Sequence, residues 1–407
     1  MDIRWIHPTP DGSLPDRAGE QKVWLTGGEH TFRPRLGVYA SLEANPNRPF
    51  GEQTKMFEDL TEIGYHRGVD VVVLCPGYRS SGQAWRFFRA SKRWTLQRVP
   101  MPDVVLRRSG TFRAPIEVVN ADLKYFERQH RLHSLPRSCS NKWTFYQDMT
   151  GDPALRSYFP KTTVASSGRE ILQFLKGHPD IYVKPLNGAQ GVSIYRIVQS
   201  GNRITVSRER RLAPRATERK SHLFNAETRI EDREFVNSGD FLQDWQHTKL
   251  RRVLVQETVK LPRTRDGRPF DFRWLIQYVK QVKVVARVAR VGGPHSITTN
   301  IHTGGQAMPA EQVLESAGWE RVSETIGKLD SAALAVADRL RLKHGPFAEV
   351  GIDLALYPNG DVAVFEANPT PGRRMLRSLP GNVRALSLRF LIEYAIRATG
   401  LSDGSEH

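Results

Sequence analysis

The chain has only two cysteines in 407 residues, Cys75 and Cys139. They form neither a paired framework nor a metal-ligand spacing, which excludes a disulfide-stapled scaffold and fits a reducing compartment. Long hydrophobic runs are missing as well. No apolar stretch reaches the roughly 18 residues of a spanning helix, and Met1-Asp2-Ile3-Arg4 does not open a charged region followed by an apolar core. The expectation is a cytoplasmic protein with no membrane span. No internal repeat is visible. Negative charge is also scarce, since 60 Lys and Arg face 43 Asp and Glu for a formal charge of +17. That excess attracts polyanions such as nucleic acid, anionic polymers or nucleotides, and says nothing about fold.

What is present is an ordinary globular balance, 39% hydrophobic and 25% charged, over a length that suggests two or three domains. Residues 36–40 and 69–75 read as buried strands, 53–66 as a helix with Met56, Phe57, Leu60 and Ile63 on one face, and 103–107 as a third strand. A further helix over 119–133 completes a small α/β domain, 1–135. Beyond it, Asn141 or Ser140 caps a helix carrying Lys142. Strands at 159–164, 181–185, 193–198, 203–207 and 253–257 then surround a helix at 168–176. The polar span 209–248 has little pattern beyond a helix near 240–249. Long β-branched runs at 270–279 and 282–291 read as neighbouring strands, followed by helices at 323–343 and 383–399. The predicted class is α/β (α+β). Two basic segments, 85–98 with interleaved aromatics and 203–220, read as solvated charged faces, with nucleic acid as the less favoured partner.

The densest chemistry lies in AEVGIDLALYPNGDVAVFEANPTPGRRML, residues 348–376. Asn359-Gly360 between apolar runs predicts a two-residue type I′ hairpin, with Pro358 facing Asp361 and Asp353 facing Glu366. Asn368 follows on the same face, with Ala355, Tyr357, Val362 and Val364. Ile352, Leu354, Leu356, Ala363, Phe365 and Ala367 take the other. Opposed carboxylates about 5 Å apart repel. They must share a proton, meet a cationic side chain or bind a metal, and oxygen-only donors favour a hard divalent ion.

Lys184 ends a strand just before Asn187-Gly188-Ala189-Gln190-Gly191. Glycine backbone N–H groups beside an ammonium suit phosphate, although the loop is not a P-loop and leads into a strand. Lys142, this lysine and loop, a strand ending Gln256-Glu257, Arg273, Asn300 and the Asp353/Glu366/Asn368 spacing occur in an order that resembles the ATP-grasp superfamily. NRPFGEQTKMF, PDVVLRR, NKW, YVKPLNGAQG, FDFRWLIQ, GGPHSITTNIHTGGQA and FEANPTPGRRML further resemble the YheC/YheD family, ATP-grasp proteins associated with endospore coats.

The resemblance implies ATP with Mg²⁺ or Mn²⁺ as cofactors. Domains would be 1–135, 136–255 with the lid, and 256–407 with the metal site. Lys142, Lys184, Gly188, Gln190, Gly191 and Ser193 would meet the phosphates, and Gln256, Glu257 and Val259 the adenine and ribose. Asp353, Glu366 and Asn368 would ligate metal, Arg273 would act on the transferred phosphoryl, and Asn300, helped by Arg290 or alternatively Arg287, would act on phosphate oxygens and the acceptor. Arg373-Arg374 could meet an anionic substrate, and His295 and His302 could act as bases. The implied reaction is a carboxylate–amine ligation through an acyl-phosphate, on an amino acid, peptide or spore-envelope component. A phosphotransferase, or a spore coat-associated binding protein with a vestigial ATP site, are the rivals.

Overall fold

The computed structural model describes residues 23–25, 28–30, 34–187, 193–211, 228–248, 250–293, 299 and 305–400. The first sheet has a parallel centre, Asp70–Leu74 beside Arg35–Tyr39 beside Val104–Arg107. Every residue of Asp70–Leu74 is buried, as expected for a parallel strand covered on both faces. Helix Thr54–His66 turns Met56, Phe57 and Leu60 inward, and helix Ile116–Arg128, after the last strand, covers the other face with Val119, Leu123 and Phe126. An antiparallel hairpin, Gln83–Phe88 and Arg93–Arg98, extends this sheet at one edge. The basic segment there is not wholly solvated. Arg86 is buried and donates to both oxygens of Asp70, at 2.7 and 3.0 Å, and Arg89 pairs with Glu62.

The second sheet has six antiparallel strands in the order Thr228–Phe235, Arg203–Arg211, Tyr195–Ser200, Asp180–Pro185, Val253–Glu257, Thr162–Ala165. Ile171, Leu175, Val183, Ile197, Phe241 and Trp245 form its own core. Thr228–Phe235 is the strand that hydrophobic pattern does not reveal. It is an edge strand rich in charges of both signs, and Arg208 on the neighbouring strand meets Glu231 at 3.3 Å. The helix near 240–249 is Ser238–Gln246, and residues 212–220 of the second basic segment lie outside the described residues.

The third sheet is antiparallel throughout, ordered Gln306–Pro309, Val282–Val291, Phe270–Tyr278, Glu349–Leu356, Val362–Asn368. Helices Val322–His344 and Val383–Ala398 pack against it. One apolar core runs without interruption from the first sheet into this one, joining Leu36, Val38 and Phe57 to Trp274, Ile352, Leu391 and Ile392. Helix Lys142–Thr150 buries Phe145 and Met149 in that same core. Lys142 is therefore carried by the larger body and Lys184 by the six-stranded sheet. Any site that uses both lies between the two.

Candidate functional site

The acidic hairpin is built differently from the expectation, and the difference matters for the site. Its loop is three residues, Pro358-Asn359-Gly360. Tyr357 N–H donates to Asp361 O at 2.8 Å, Gly360 N–H donates back to Tyr357 O at 2.9 Å, and Gly360 takes φ +84. Proline explains this. The narrow pair that closes a two-residue hairpin needs an N–H from each member, and Pro358 has none. The shorter register pairs Leu354 with Val364, which sends Val362 and Val364 into the main core with Leu354 and Leu356.

A β-bulge at Phe365 then restores the register, and Asp353 faces Glu366 after all, with Gly351 facing Asn368. Because of the bulge Phe365 sits on the site face, packed with Val259, Leu261, Ala355, Ala363 and Tyr357. A Cβ at Gly351 would come within 3.2 Å of Pro371, so glycine there lets the turn after Asn368 fold back over the strand. Asn368 Oδ1 accepts the Thr370 N–H at 3.0 Å and shapes that turn.

The opposed acids are kept apart by cationic side chains. Arg273, directly across from Asp353 on the neighbouring strand, donates to both its oxygens at 2.5 and 2.6 Å. Arg290 adds a third bond at 2.8 Å and holds Asp271 at 2.6 and 2.7 Å. Burial would raise the Asp353 carboxyl, but the two guanidiniums outweigh it and hold the group below the ordinary aspartate range. For Asp271 burial wins over Arg290, and its value is raised. Glu366 meets Lys142 Nζ at 3.2 Å.

Lys184 arrives from the other sheet, its ammonium 5.3 Å from the Phe365 ring and 2.9 Å from Gln256 Oε1. Gln256 in turn donates to Thr162 Oγ1 at 2.9 Å, so it fixes the lysine's direction. Burial, with Lys142 nearby and only partly offset by Glu366, lowers the Lys184 ammonium to about 8. Glu257 closes the strand end. Its Oε1 accepts the Lys161 N–H at 2.9 Å, His178 Nε2 stands 3.7 Å from Oε2, and Tyr357 bonds to it, which with burial pushes the phenol up to about 12.

Lys142, Lys184, Gln256, Arg273, Arg290, Asp353 and Glu366 thus form one connected set, with Val259 beside it in the Phe365 cluster. Ser193 is described, with φ +59. Gly188, Gln190, Gly191, Asn300, His295 and His302 lie outside the described residues. Two expectations fail. Arg287 is bound to Asp330 at 2.7 and 2.9 Å and belongs to the helix packing. Of Arg373-Arg374, Arg373 is buried, sharing Glu349 with Arg108, and cannot greet a substrate, whereas Arg374 is exposed. Asp271 was missed, although FDFRW alternates aromatics at 270, 272 and 274 with charges at 271 and 273.

Among the described residues no group of three or more His, Cys, Asp or Glu is placed to hold a metal. The candidate donors are two carboxylates and an amide, a hard oxygen set of the kind Mg²⁺ accepts. Glu366 and Asn368 fit that role. Asp353 fits it only if a guanidinium leaves, because both its oxygens are already occupied.

A YheC/D like ATP-grasp family model matches residues 132–397. The endospore coat-associated protein YheD of Bacillus subtilis is 27% identical over 384 residues, covering 90% of this chain and 80% of its own. YheC of the same organism is 19% identical over 293 residues, 71% of this chain and 76% of its own. Among solved structures, the ATP-grasp ligase PsnB complexed with a minimal precursor aligns with TM-score 0.51 at 13% identity, over 88% of this chain and 98% of that one. A likeness at that identity concerns the fold alone. No described helix is long and apolar enough to cross a membrane.

Proposed function

The chain belongs to the YheC/D like ATP-grasp family, and from that premise we propose that it is an ATP-dependent carboxylate–amine ligase that works through an acyl-phosphate. The observation that carries the reading is the convergence of Lys142 and Lys184, from two different bodies, on the face that holds Glu366 and Arg273. Four cations around so few acids suit a polyphosphate tail. The apolar group Val259, Leu261, Tyr357 and Phe365 beside them suits a flat base.

In this reading Lys184 and Lys142 bind the phosphates, and Gln256 keeps Lys184 aimed. Gly188, Gln190, Gly191 and Ser193 cover the phosphates with backbone N–H groups, and Asn300 helps to seat the acceptor. Glu257 organises the strand end next to Val259 for adenine and ribose. Glu366 and Asn368 hold the divalent ion, which when bound neutralises phosphate charge. Arg273 touches one carboxylate where Arg290 bridges two, so Arg273 is the guanidinium a phosphate draws away more cheaply, freeing Asp353. A substrate carboxylate then attacks the terminal phosphorus. ADP leaves, and an amine displaces phosphate from the acyl carbon. The chain positions and neutralises; it forms no covalent bond.

Transfer of ¹⁸O from a labelled substrate carboxylate to inorganic phosphate tests the proposal. The assay is ADP release against pools of amino acids, short peptides and spore-envelope fragments. Turnover without label transfer supports phosphotransfer to a hydroxyl instead. One observation favours a different second reading, a coat-associated binding protein whose nucleotide site no longer works: both Asp353 oxygens are held by arginine. A melting temperature that Mg·ATP does not raise would support that reading.

Lys184 also gives the site a pH signature. Its ammonium is lowered to about 8 in the free protein, where half of it has lost the proton, and a phosphate binds the protonated form. Affinity for Mg·ATP should be level below that value, then fall up to about tenfold per pH unit above it. Titrations between about pH 7 and about pH 9.5 read this directly, and Lys184→Arg should flatten the profile.

A further inference from the structure

The hairpin Gln83–Phe88/Arg93–Arg98 has no part in the nucleotide site, yet it concentrates charge and apolar surface at an open edge. Among the described residues Arg93–Arg98 is the terminal strand of its sheet, and Arg93, Thr95, Leu96 and Arg98 are all exposed. Residues 85–98 contain five basic residues and no acid. Two of the five are spent internally, Arg86 on Asp70 and Arg89 on Glu62. Lys92, Arg93 and Arg98 make no ion pair among the described residues.

Sheets commonly protect such an edge with central charges, a proline or a bulge. Here the six cross-strand pairs from Gln83↔Arg98 to Phe88↔Arg93 run without a register shift, and no proline interrupts them. The centre of the strand carries Leu96, 46% exposed, rather than a charge. Charges stand only at its ends.

The aromatics decide which polyanion fits. Single-stranded nucleic acid needs ring faces turned outward for stacking. Trp94 is instead edge-on to Phe50 at 4.8 Å and tilted against Phe87 at 5.1 Å, while Trp85 meets Phe50 at 6.3 Å. These rings face the protein. What remains outward is a backbone edge, one leucine and three cations.

We infer that Arg93–Arg98 is a docking edge for an extended acidic peptide, which adds as a further antiparallel or parallel strand. Backbone pairing supplies the affinity. Arg93 lies on one face of the strand and Leu96 and Arg98 on the other, so selection comes from one carboxylate at each end, on opposite faces, with an apolar side chain over Leu96. Trp94 rests on Phe50 of the NRPFG loop, so a peptide held here passes next to that loop.

The test uses the full chain and a fluorescein-labelled Glu-Thr-Val-Val-Thr-Glu peptide, whose two carboxylates fall on opposite faces of an added strand with valine beside Leu96, read by anisotropy. Binding is expected, at least about tenfold weaker for Arg93→Glu/Arg98→Glu and lost when alternate peptide nitrogens are methylated, because strand addition needs those N–H groups. Two results would overturn the inference: equal binding of the methylated peptide, or indifference to the charge reversal. Tighter binding of an oligothymidylate of equal charge would also overturn it, in favour of a nucleic-acid surface. Both arginines are exposed, so loss of fold is not expected, and an unchanged melting curve confirms it.

Discussion

Glu366→Ala is expected to lower ATP turnover by roughly a thousandfold, the equivalent of several kcal/mol of lost charge stabilisation at about 1.4 kcal/mol per decade. It is also expected to erase the melting shift given by Mg·ATP. The variant is a better probe than one at Asp353 because Glu366 holds no guanidinium in place, although it also withdraws the counter-charge from Lys142 and Lys184. Glu366 is about one-third exposed, pairs with Lys142 at 3.2 Å and also acts on the nearby Lys184 ammonium. Lys142 and Glu366 are 15% and 33% exposed, so the pair is worth more than the about 0–1 kcal/mol of a surface pair, and the ligand shift is read against the variant's own unliganded melting temperature. Asp353 offers no such separation. Asp353→Asn takes the counter-charge from two guanidiniums and confounds lost binding with lost stability. A Glu366→Ala protein that still turns over ATP at the parent rate, or keeps its ligand-induced shift, removes this carboxylate from the nucleotide site.

The buried strands and the helices were legible because burial imposes period. Asp70–Leu74 reads as a covered parallel strand, and Met56, Phe57 and Leu60 as one helix face, from spacing alone. The opposition of Asp353 and Glu366 was legible for a subtler reason. Two departures from the ideal hairpin, a loop one residue longer and a bulge at Phe365, cancel at that position. Between the loop and the bulge they do not cancel, which is why the faces of Val362, Ala363, Val364 and Phe365 came out inverted. What could not be read were partners set by tertiary approach. Nothing local to Arg108 announces Glu349, 241 residues away, and the arginines flanking Asp353 come from strands whose order the sequence does not state. Charge counts predict a cation near an opposed acid pair. They do not say which cation.

Glu349→Gln is expected to cost about 3–5 kcal/mol of folding stability, the size found when one member of a buried ionic cluster is removed and its partners stay charged. Arg108, from the end of the first sheet's strand, and Arg373, from the turn after Asn368, both bind Glu349, and all three are nearly inaccessible. Both arginines also donate to Pro371 O, at 2.8 and 3.0 Å, and Gln277 closes the cluster on Glu349 at 3.2 Å. Burial alone would raise the glutamate, but Arg373 and Arg108 outweigh it and hold it below the ordinary range. A lowered folded value means its contribution is complete above the unfolded glutamate value, about 4.3, and fades as pH falls through the folded one. The parent should therefore lose stability at the acid end, and the glutamine variant should start lower and show a shallower acid limb. Urea midpoints at neutral and acid pH measure both. A midpoint equal to the parent's would mean that solvent reaches these arginines and that Pro371 is not held from the first sheet. A lowered midpoint together with a weakened Mg·ATP shift would tie that hold to Asn368, two residues before the turn it fixes.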